Sequence, residues 1–249
     1  MNNRITALIP AREGSIRVQN KNTRILNGHP TISYSIQTAI DSALFDSIIV
    51  ASNSNEICAI AKYYGATQVI KRNDSDSLST STDIEWLRNL YISGYLTTDL
   101  FAILRPTSPL RSIRLMQDCI NNFLNSTADS LRTISKVKEH PGKMWRIESE
   151  NAIRPYLPQP QGLPSSHAMQ YQSLEELYVQ TSVFEVAKTS VIKEFDSREG
   201  KNILGYITSG IDSHAVDLEE DFDYLKYLVN KNSELLPRIR KPSWSLGHE

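Results

Sequence analysis

Cysteine is scarce in this chain, charge of the two signs is balanced, and no long apolar run is present. The two cysteines, Cys58 and Cys119, fall among apolar residues of helical spacing, with no Cys-x-x-Cys or His-x-x-x-His pair. That argues against a disulfide framework or a zinc centre. Lysine and arginine number 27 against 28 aspartates and glutamates, and the net charge of -1 excludes a global attraction for nucleic acid or an acidic membrane. Any anion site must be local. No stretch approaches the roughly 18 apolar residues of a membrane span. The opening Met-Asn-Asn-Arg lacks the apolar core of a signal peptide, so the expectation is a soluble, cytoplasmic protein. Two nucleotide signatures are also missing, G-x-x-x-x-G-K-S/T and G-x-G-x-x-G. Kinase, NTPase and dehydrogenase readings lose most of their support there.

What is present is enough apolar sequence, 40% of 249 residues, to bury one substantial core, read as a single domain over residues 1–232. Apolar, β-rich runs at 4–10, 47–52, 66–70 and 100–104 alternate with helically spaced segments. The helical faces are Ile32, Ile36, Ala39, Ile40 and Ala43, then Ile57, Ile60, Ala61 and Tyr64 before Gly65. Two more are Ile84, Leu87 and Leu90 after Thr82, and Leu115, Cys119, Ile120 and Phe123 after Ser112. This rhythm predicts an α/β fold, a three-layer α/β/α Rossmann-like arrangement with a mostly parallel sheet. It places the loops after residues 10, 52 and 104 on one rim, where such sheets bind ligands. Further strands are expected at 131–138, 143–148 and 177–186, around a proline-rich stretch at 154–164 that disfavours long helices. That stretch is a lid or interface candidate, within a subregion expected over about 138–190. A last helix is expected over 219–231, followed by a flexible tail, 233–249.

The apolar run Ala7-Leu8-Ile9-Pro10 empties into Ala11-Arg12-Glu13-Gly14-Ser15, and Arg17, Lys21 and Asn22 follow at once. A polyphosphate needs backbone N–H groups around a concavity and cations to offset charge as pyrophosphate departs. Arg12, Arg17 and Lys21 can supply the cations, and Gly14 permits close approach of the backbone. A basic turn that merely faces water is the plain alternative. The run Phe101-Ala102-Ile103-Leu104 leads into Arg105-Pro106-Thr107-Ser108-Pro109-Leu110-Arg111. Two prolines stiffen that turn, so its guanidinium and hydroxyl groups are held at a strand's carboxyl end.

These two blocks, with Ile48-Ile49-Val50-Ala51-Ser52, Lys62-Tyr63-Tyr64-Gly65-Ala66 and Val216-Asp217-Leu218-Glu219-Glu220-Asp221-Phe222, resemble the acylneuraminate cytidylyltransferases, or CMP-sialic acid synthetases, over nearly the whole chain. The resemblance implies a nucleotide-diphospho-sugar transferase fold with a small dimerisation arm, a homodimer, and transfer of CMP from CTP to the anomeric hydroxyl of a nonulosonic 2-keto sugar acid with Mg2+. Carried over by position, Arg12, Lys21 and Asp217 are the catalytic candidates, and Asp217 is the metal ligand. Arg12, Gly14, Ser15, Arg17, Lys21, Asn22, Arg72, Ser79, Thr80 and Ser81 are expected at the nucleotide. Arg105, Ser108, Arg111, Lys143 and Gln180 are expected at the sugar, whose carboxylate a cation would pair with well. Asp221 ranks below Asp217 because it falls within the expected last helix.

Four positions depart from the family's habit. Ile16 stands where lysine is common, Asn53 where aspartate is frequent, Ala215 where a first metal-site acid is usual, and Arg105 where glutamine often precedes Pro-Thr-Ser. Two alternatives therefore stay open: another NTP with a sugar 1-phosphate, and a nucleotide-binding homologue without turnover.

Overall fold

The structure is a computed structural model and describes residues 3–14, 17–78, 80–158 and 164–245. Strand β1 (Ile5–Pro10) is followed by the short β2 (Ile25–Leu26) and β3 (His29–Pro30), then α1 (Thr31–Ser42), β4 (Ser47–Ser52), α2 (Asn55–Tyr64) and β5 (Gln68–Lys71). Next come α3 (Asp83–Ile92), β6 (Leu100–Ile103), α4 (Ile113–Leu124) and β7 (Ser130–Lys136). The second half adds β8 (Trp145–Ser149), β9 (Ala152–Pro155), β10 (Tyr178–Lys188), α5 (Ser190–Phe195), β11 (Ile203–Ile207) and α6 (Glu219–Lys231).

Seven strands form the central sheet in the order β11-β7-β10-β6-β1-β4-β5. Ladders β1·β4, β1·β6, β4·β5 and β7·β11 are parallel, while β10 runs antiparallel to both β6 and β7. The sheet is therefore mostly parallel with one reversed strand. Alternation along β1 explains the layers, because successive side chains point to opposite faces. Ile5, Ala7 and Ile9 pack with α1, α2 and α4 on one face, whereas Leu8 joins Ile49, Phe101 and Ile103 against α3 and α5 on the other. Both faces are covered, which is what a strand as apolar as β1 requires.

Local chemistry sets the helix ends. Ser112 accepts from the Leu115 N–H and caps α4, and Gly65 ends α2 at a φ of 99° that few other residues adopt cheaply. The strand order reverses about β1, whose neighbours are β4 and β6, so the loops after β1 and β6 diverge and leave a crevice at their carboxyl ends.

Elements β9, β11 and α5 had no counterpart in the periodicity of the sequence. Strand β11 sits at the sheet edge with Ile203 and Ile207 exposed, and α5 has only six residues, too few to show a helical face. Residues 159–163 of the proline-rich stretch lie outside the described residues. The preceding β8·β9 hairpin, the core of the subregion expected at 138–190, projects Ile147 and Ile153 into solvent.

The chain end differs from the loose tail expected beyond 232. Through residue 245 it docks at the C-terminal end of α2: the Tyr63 hydroxyl donates to the Pro242 carbonyl at 3.0 Å, and the Trp244 N–H donates to the Tyr64 hydroxyl at 3.2 Å. Leu236 is buried, and Ile239 and Trp244 pack against the core. Scattered apolar residues among prolines give no periodic signal, yet they dock a strap.

The turn between α5 and β11 carries a test of the fold. Gly200 has φ 71°, and a Cβ there would stand 2.6 Å from the Cβ of Asp129, whose carboxylate accepts the N–H groups of Lys201 and Asn202. Gly200→Ala should cost on the order of 1–3 kcal/mol, read as a lowered urea midpoint with an unchanged slope.

Candidate active site

A cleft of about 360 Å3 opens at the carboxyl ends of β1 and β6. One end is built by the turn after β1. Arg12 and Lys21 line it, and Asn22 is held there by donating its amide to the Arg12 carbonyl at 2.9 Å. The turn is tied to the sheet by the N–H of Glu13, which donates to the side-chain carbonyl of Asn53 at 2.9 Å. Asparagine at 53 thus keeps the acceptor that an aspartate would offer, without the charge. Burial holds the Lys21 ammonium below the ordinary lysine range; Asp217 opposes that shift, while Arg17, Arg12 and Arg105 add to it. A lysine in that state gains from an arriving anion.

Asp217 reaches the same end because the Val216 N–H donates to the Thr107 carbonyl at 2.8 Å, fastening the approach to α6 onto the turn after β6. Its carboxylate is half exposed and 3.7 Å from the Arg17 guanidinium, a long surface pair that a stronger partner can displace. Asp221 is occupied by the backbone: its carboxylate accepts the N–H groups of Asp217 at 2.9 Å and Leu218 at 2.8 Å, closing the start of α6. Among the described residues no group of three His, Cys, Asp or Glu side chains could hold a metal ion. The half-exposed Asp217 carboxylate, held only in that long pair, is a hard oxygen donor of the kind a divalent ion such as Mg2+ uses one or two of.

The cleft wall at residues 72–83 comes from the segment after β5. Arg72, over the Trp86 ring at 5.3 Å, donates to the Asp76 carbonyl, and the Ser81 hydroxyl donates to the Ser75 carbonyl at 2.7 Å. Arg72, Leu78 and Ser81 line the cleft, whereas Thr80 is exposed and outside its lining. Ser15, Ile16 and Ser79 lie outside the described residues. Gly14 lines a smaller hollow behind the loop with Asn20 and Ser54.

The opposite end is shaped by a register shift in β10 between Gln180 and Glu185. Gln180, Thr181 and Ser182 are thereby delivered to the cleft with Arg105 and Thr107. The bulge is stapled twice. The Thr133 hydroxyl donates to the Phe184 carbonyl at 3.1 Å and accepts the Phe184 N–H at 3.2 Å, and Arg111 donates to the Val183 carbonyl.

Three residues expected at the sugar are placed elsewhere. Arg111 is buried and spends its guanidinium on the carbonyls of Val183 and Arg105, the latter at 2.9 Å, and on the Ser35 hydroxyl at 3.4 Å. Burial and the like charge of Arg105 press it below the usual arginine range. Ser108 is buried as well, its hydroxyl at 3.5 Å from the Ser182 carbonyl. Lys143 donates to the carbonyls of His167 at 2.9 Å and Met169 at 2.5 Å within the projecting subregion, outside the cleft lining. His140 is buried as a local anchor: its Nδ1 accepts the Gly142 N–H at 2.9 Å.

An ion cluster at the cleft floor has no signal in the amino-acid pattern. Asp83, the first residue of α3, accepts from Arg105 Nη2 at 2.5 Å, from Arg198 and from the Trp86 indole at 3.0 Å. Glu185 lies 3.4 Å from both Arg105 and Arg132, and Arg132 also pairs with Glu199 at 2.6 Å. A lone acid before a helix or a charged turn such as Asp196-Ser197-Arg198-Glu199-Gly200 looks solvated in sequence; only the fold brings these charges together.

Cationic turn, polar far wall and switch-point crevice together define an α/β enzyme built to hold a charged nucleotide beside a polar second substrate. The sequence profile of the cytidylyltransferases matches residues 6–231, and the chain belongs to that family of nucleotidyltransferases. It is 29% identical over 238 residues to the CMP-N,N'-diacetyllegionaminic acid synthase of Legionella pneumophila, covering 94% of this chain and 99% of that one. It is 36% identical over 111 residues to the N-acylneuraminate cytidylyltransferase of Escherichia coli O18:K1:H7, 45% of this chain and only 26% of that longer protein. Among solved structures, a CMP:2-keto-3-deoxy-manno-octonic acid synthetase complexed with CTP superposes with a TM-score of 0.67 at 12% identity, covering 92% of this chain and 99% of that one. That likeness shows the fold.

Asp83 yields a pH prediction. Burial alone would raise its carboxyl, but Arg105 and Arg198 overcome this and, with the Trp86 indole, bring it from 3.8 to about 2. A depressed carboxyl stabilises the fold above its unfolded value, and that stability is lost as pH falls from about 4 to about 2. Urea denaturation of the native protein should lose on the order of 2 kcal/mol across that window, a component missing in Asp83→Asn.

Proposed function

We propose that the chain transfers CMP from CTP to the anomeric hydroxyl of a nonulosonic 2-keto sugar acid, releasing pyrophosphate. The observation that carries this reading is one cleft with Arg12, Lys21, Asn22 and Asp217 at its cationic end and Arg105, Gln180 and Ser182 at its polar end. The end-to-end similarity to a CMP-N,N'-diacetyllegionaminic acid synthase supports the acceptor class.

In this reaction the acceptor oxygen forms a bond to the α-phosphorus, the bond from that phosphorus to the oxygen bridging to the β-phosphate breaks, and the hydroxyl proton is released. Arg12 and Lys21 hold the triphosphate and offset charge at the α-phosphate and the departing pyrophosphate, so their work is positioning and electrostatics. Burial strengthens the Lys21 contribution, because a partly desolvated ammonium interacts more strongly with phosphate oxygens. Arg72, Ser81 and Leu78 form the wall for the base and ribose. Arg105 and Gln180 face the acceptor. Mg2+, held by Asp217 and the nucleotide phosphates, would supply Lewis-acid polarisation of the phosphoryl oxygens.

The exposed apolar side chains of the β8·β9 hairpin, Ile147 and Ile153 with Trp145 nearby, support a homodimer formed through this subregion. Sedimentation of the purified protein should give twice the monomer mass, and a strict monomer at assay concentration would refute the pairing.

Pyrophosphate release measured with each NTP and a panel of 2-keto sugar acids and sugar 1-phosphates tests the assignment. Turnover should require CTP and a keto acid; activity confined to sugar phosphates would refute it. Lys21→Ala should lower kcat by at least roughly a hundredfold with an unchanged thermal midpoint. Asp217→Asn should chiefly raise the Mg2+ concentration needed for half-maximal rate.

A further inference from the structure

Strand β4 lies between β1 and β5 in the sheet, so the loop after it borders both the cationic turn and the wall at 72–83. The ladders on its two sides each continue one residue past β1 and β5: the Ala11 N–H donates to the Ala51 carbonyl at 3.0 Å, and the Arg72 N–H to the Ser52 carbonyl at 2.8 Å. Beyond those bonds a side chain takes over from the backbone. Asn53 accepts the Glu13 N–H through Oδ1 at 2.9 Å and donates through Nδ2 to the Asp74 carboxylate at 3.5 Å. Both contacts require the same orientation of the amide. Asp74 opens the short turn Asp74–Ser77, and Arg12 Nη1 donates to the Ser77 carbonyl at 3.4 Å, so the two sides are tied a second time there. Arg12, Arg72 and Leu78 line the cleft, whereas Asn53 stands behind the lining.

We infer that Asn53 is a positioning residue for the nucleotide: its neutral amide holds the cationic turn against the wall at 72–83 and so fixes Arg12 relative to Arg72. This deepens the reading under Proposed function and rests on it. The residue type matters, because the bridge needs an acceptor toward Glu13 and a donor toward Asp74, and an uncharged amide supplies both. Aspartate at 53 would still accept the Glu13 N–H, but it would set a second carboxylate against Asp74, and like charges at that range repel. Alanine would keep neither contact. Asn53 acts on the triphosphate only through Arg12 and the backbone of the turn, so its loss falls on the nucleotide and spares the acceptor end, which is built from β6 and β10.

The test is a double-mutant cycle on the full chain, read by calorimetry of CTP binding with Mg2+ and no acceptor, and by steady-state kinetics. Asn53→Ala should weaken CTP binding and raise the KM for CTP by about tenfold, with the KM for the keto acid within about twofold of native. Asn53→Asp should weaken CTP binding by at least about threefold. Adding Asp74→Asn to it should return binding to within about twofold of native, because an asparagine at 74 can donate to the new carboxylate, and Asp74→Asn alone should stay within the same range. A thermal midpoint accompanies each variant, and the rescue of Asn53→Asp carries the test if Asn53→Ala fails to fold. Native-like CTP binding in Asn53→Ala or Asn53→Asp, equal losses for CTP and the keto acid, or a double variant no better than Asn53→Asp would overturn the inference while leaving the cytidylyltransferase reading standing. No binding of CTP by the native protein would overturn both.

Discussion

A single buried cation holds the catalytic end of the sheet together. The Arg111 guanidinium joins the turn after β6, the bulge in β10 and the helix α1, through the carbonyls of Arg105 and Val183 and the hydroxyl of Ser35. Removing a charge from water is costly unless every donor finds a partner, so the three elements must converge for this residue to be buried at all. Their convergence sets the separation of Arg105 from Gln180 and Ser182, and with it the width of the cleft. Proline at 106 and 109 and the Val216 N–H bonded to Thr107 keep the same turn from relaxing. Asp217 then hangs from a scaffold fixed by a residue that touches no ligand.

The two ends of the cleft differ in how their charge is managed. At the cationic end Lys21 and Arg12 have no ion-pair partner among the described residues, and the half-exposed Asp217 stands 3.7 Å from Arg17. At the far end every arginine has its acid. A cleft of this kind suits a highly charged group at one side and a polar group at the other, although the whole chain carries a net charge of only -1.

Much of this was legible in the chain. The apolar runs at 4–10, 47–52 and 100–104 and the helical faces from Ile32 and Ile57 are regular repeats, and the structure has β1, β4, β6, α1 and α2 there. Arg12, Lys21, Asn22, Arg72, Arg105, Gln180 and Asp217 share one cleft, as strand-end positions in such a sheet should. Arg111, Ser108 and Lys143 show where sequence reasoning stops. A cation in a polar turn looks the same whether it meets a ligand or a backbone carbonyl, and only the path of β10 decides which. The Asp83, Glu185 and Arg198 cluster escaped for the converse reason: Asp83 stands more than a hundred residues before the other two, and each alone resembles a solvated charge. The strap at 236–245 was missed because its apolar residues have no period, though Leu236 and Trp244 find a surface on the folded core.

The reversed direction of β10 has a further consequence. Its neighbours β6 and β7 end at the cleft rim, but β10 begins there, so the chain returning from the β8·β9 hairpin enters the sheet at the catalytic edge. The described residues between Lys136 and Tyr178 therefore belong to an insert whose two ends meet the rim and whose body lies outside the layered core. Such an insert can lengthen or shorten without disturbing the cationic turn after β1. One strand's polarity makes the fold modular: the cationic turn is locked into the sheet, and the insert, which contributes no described residue to the cleft lining, is free to diversify.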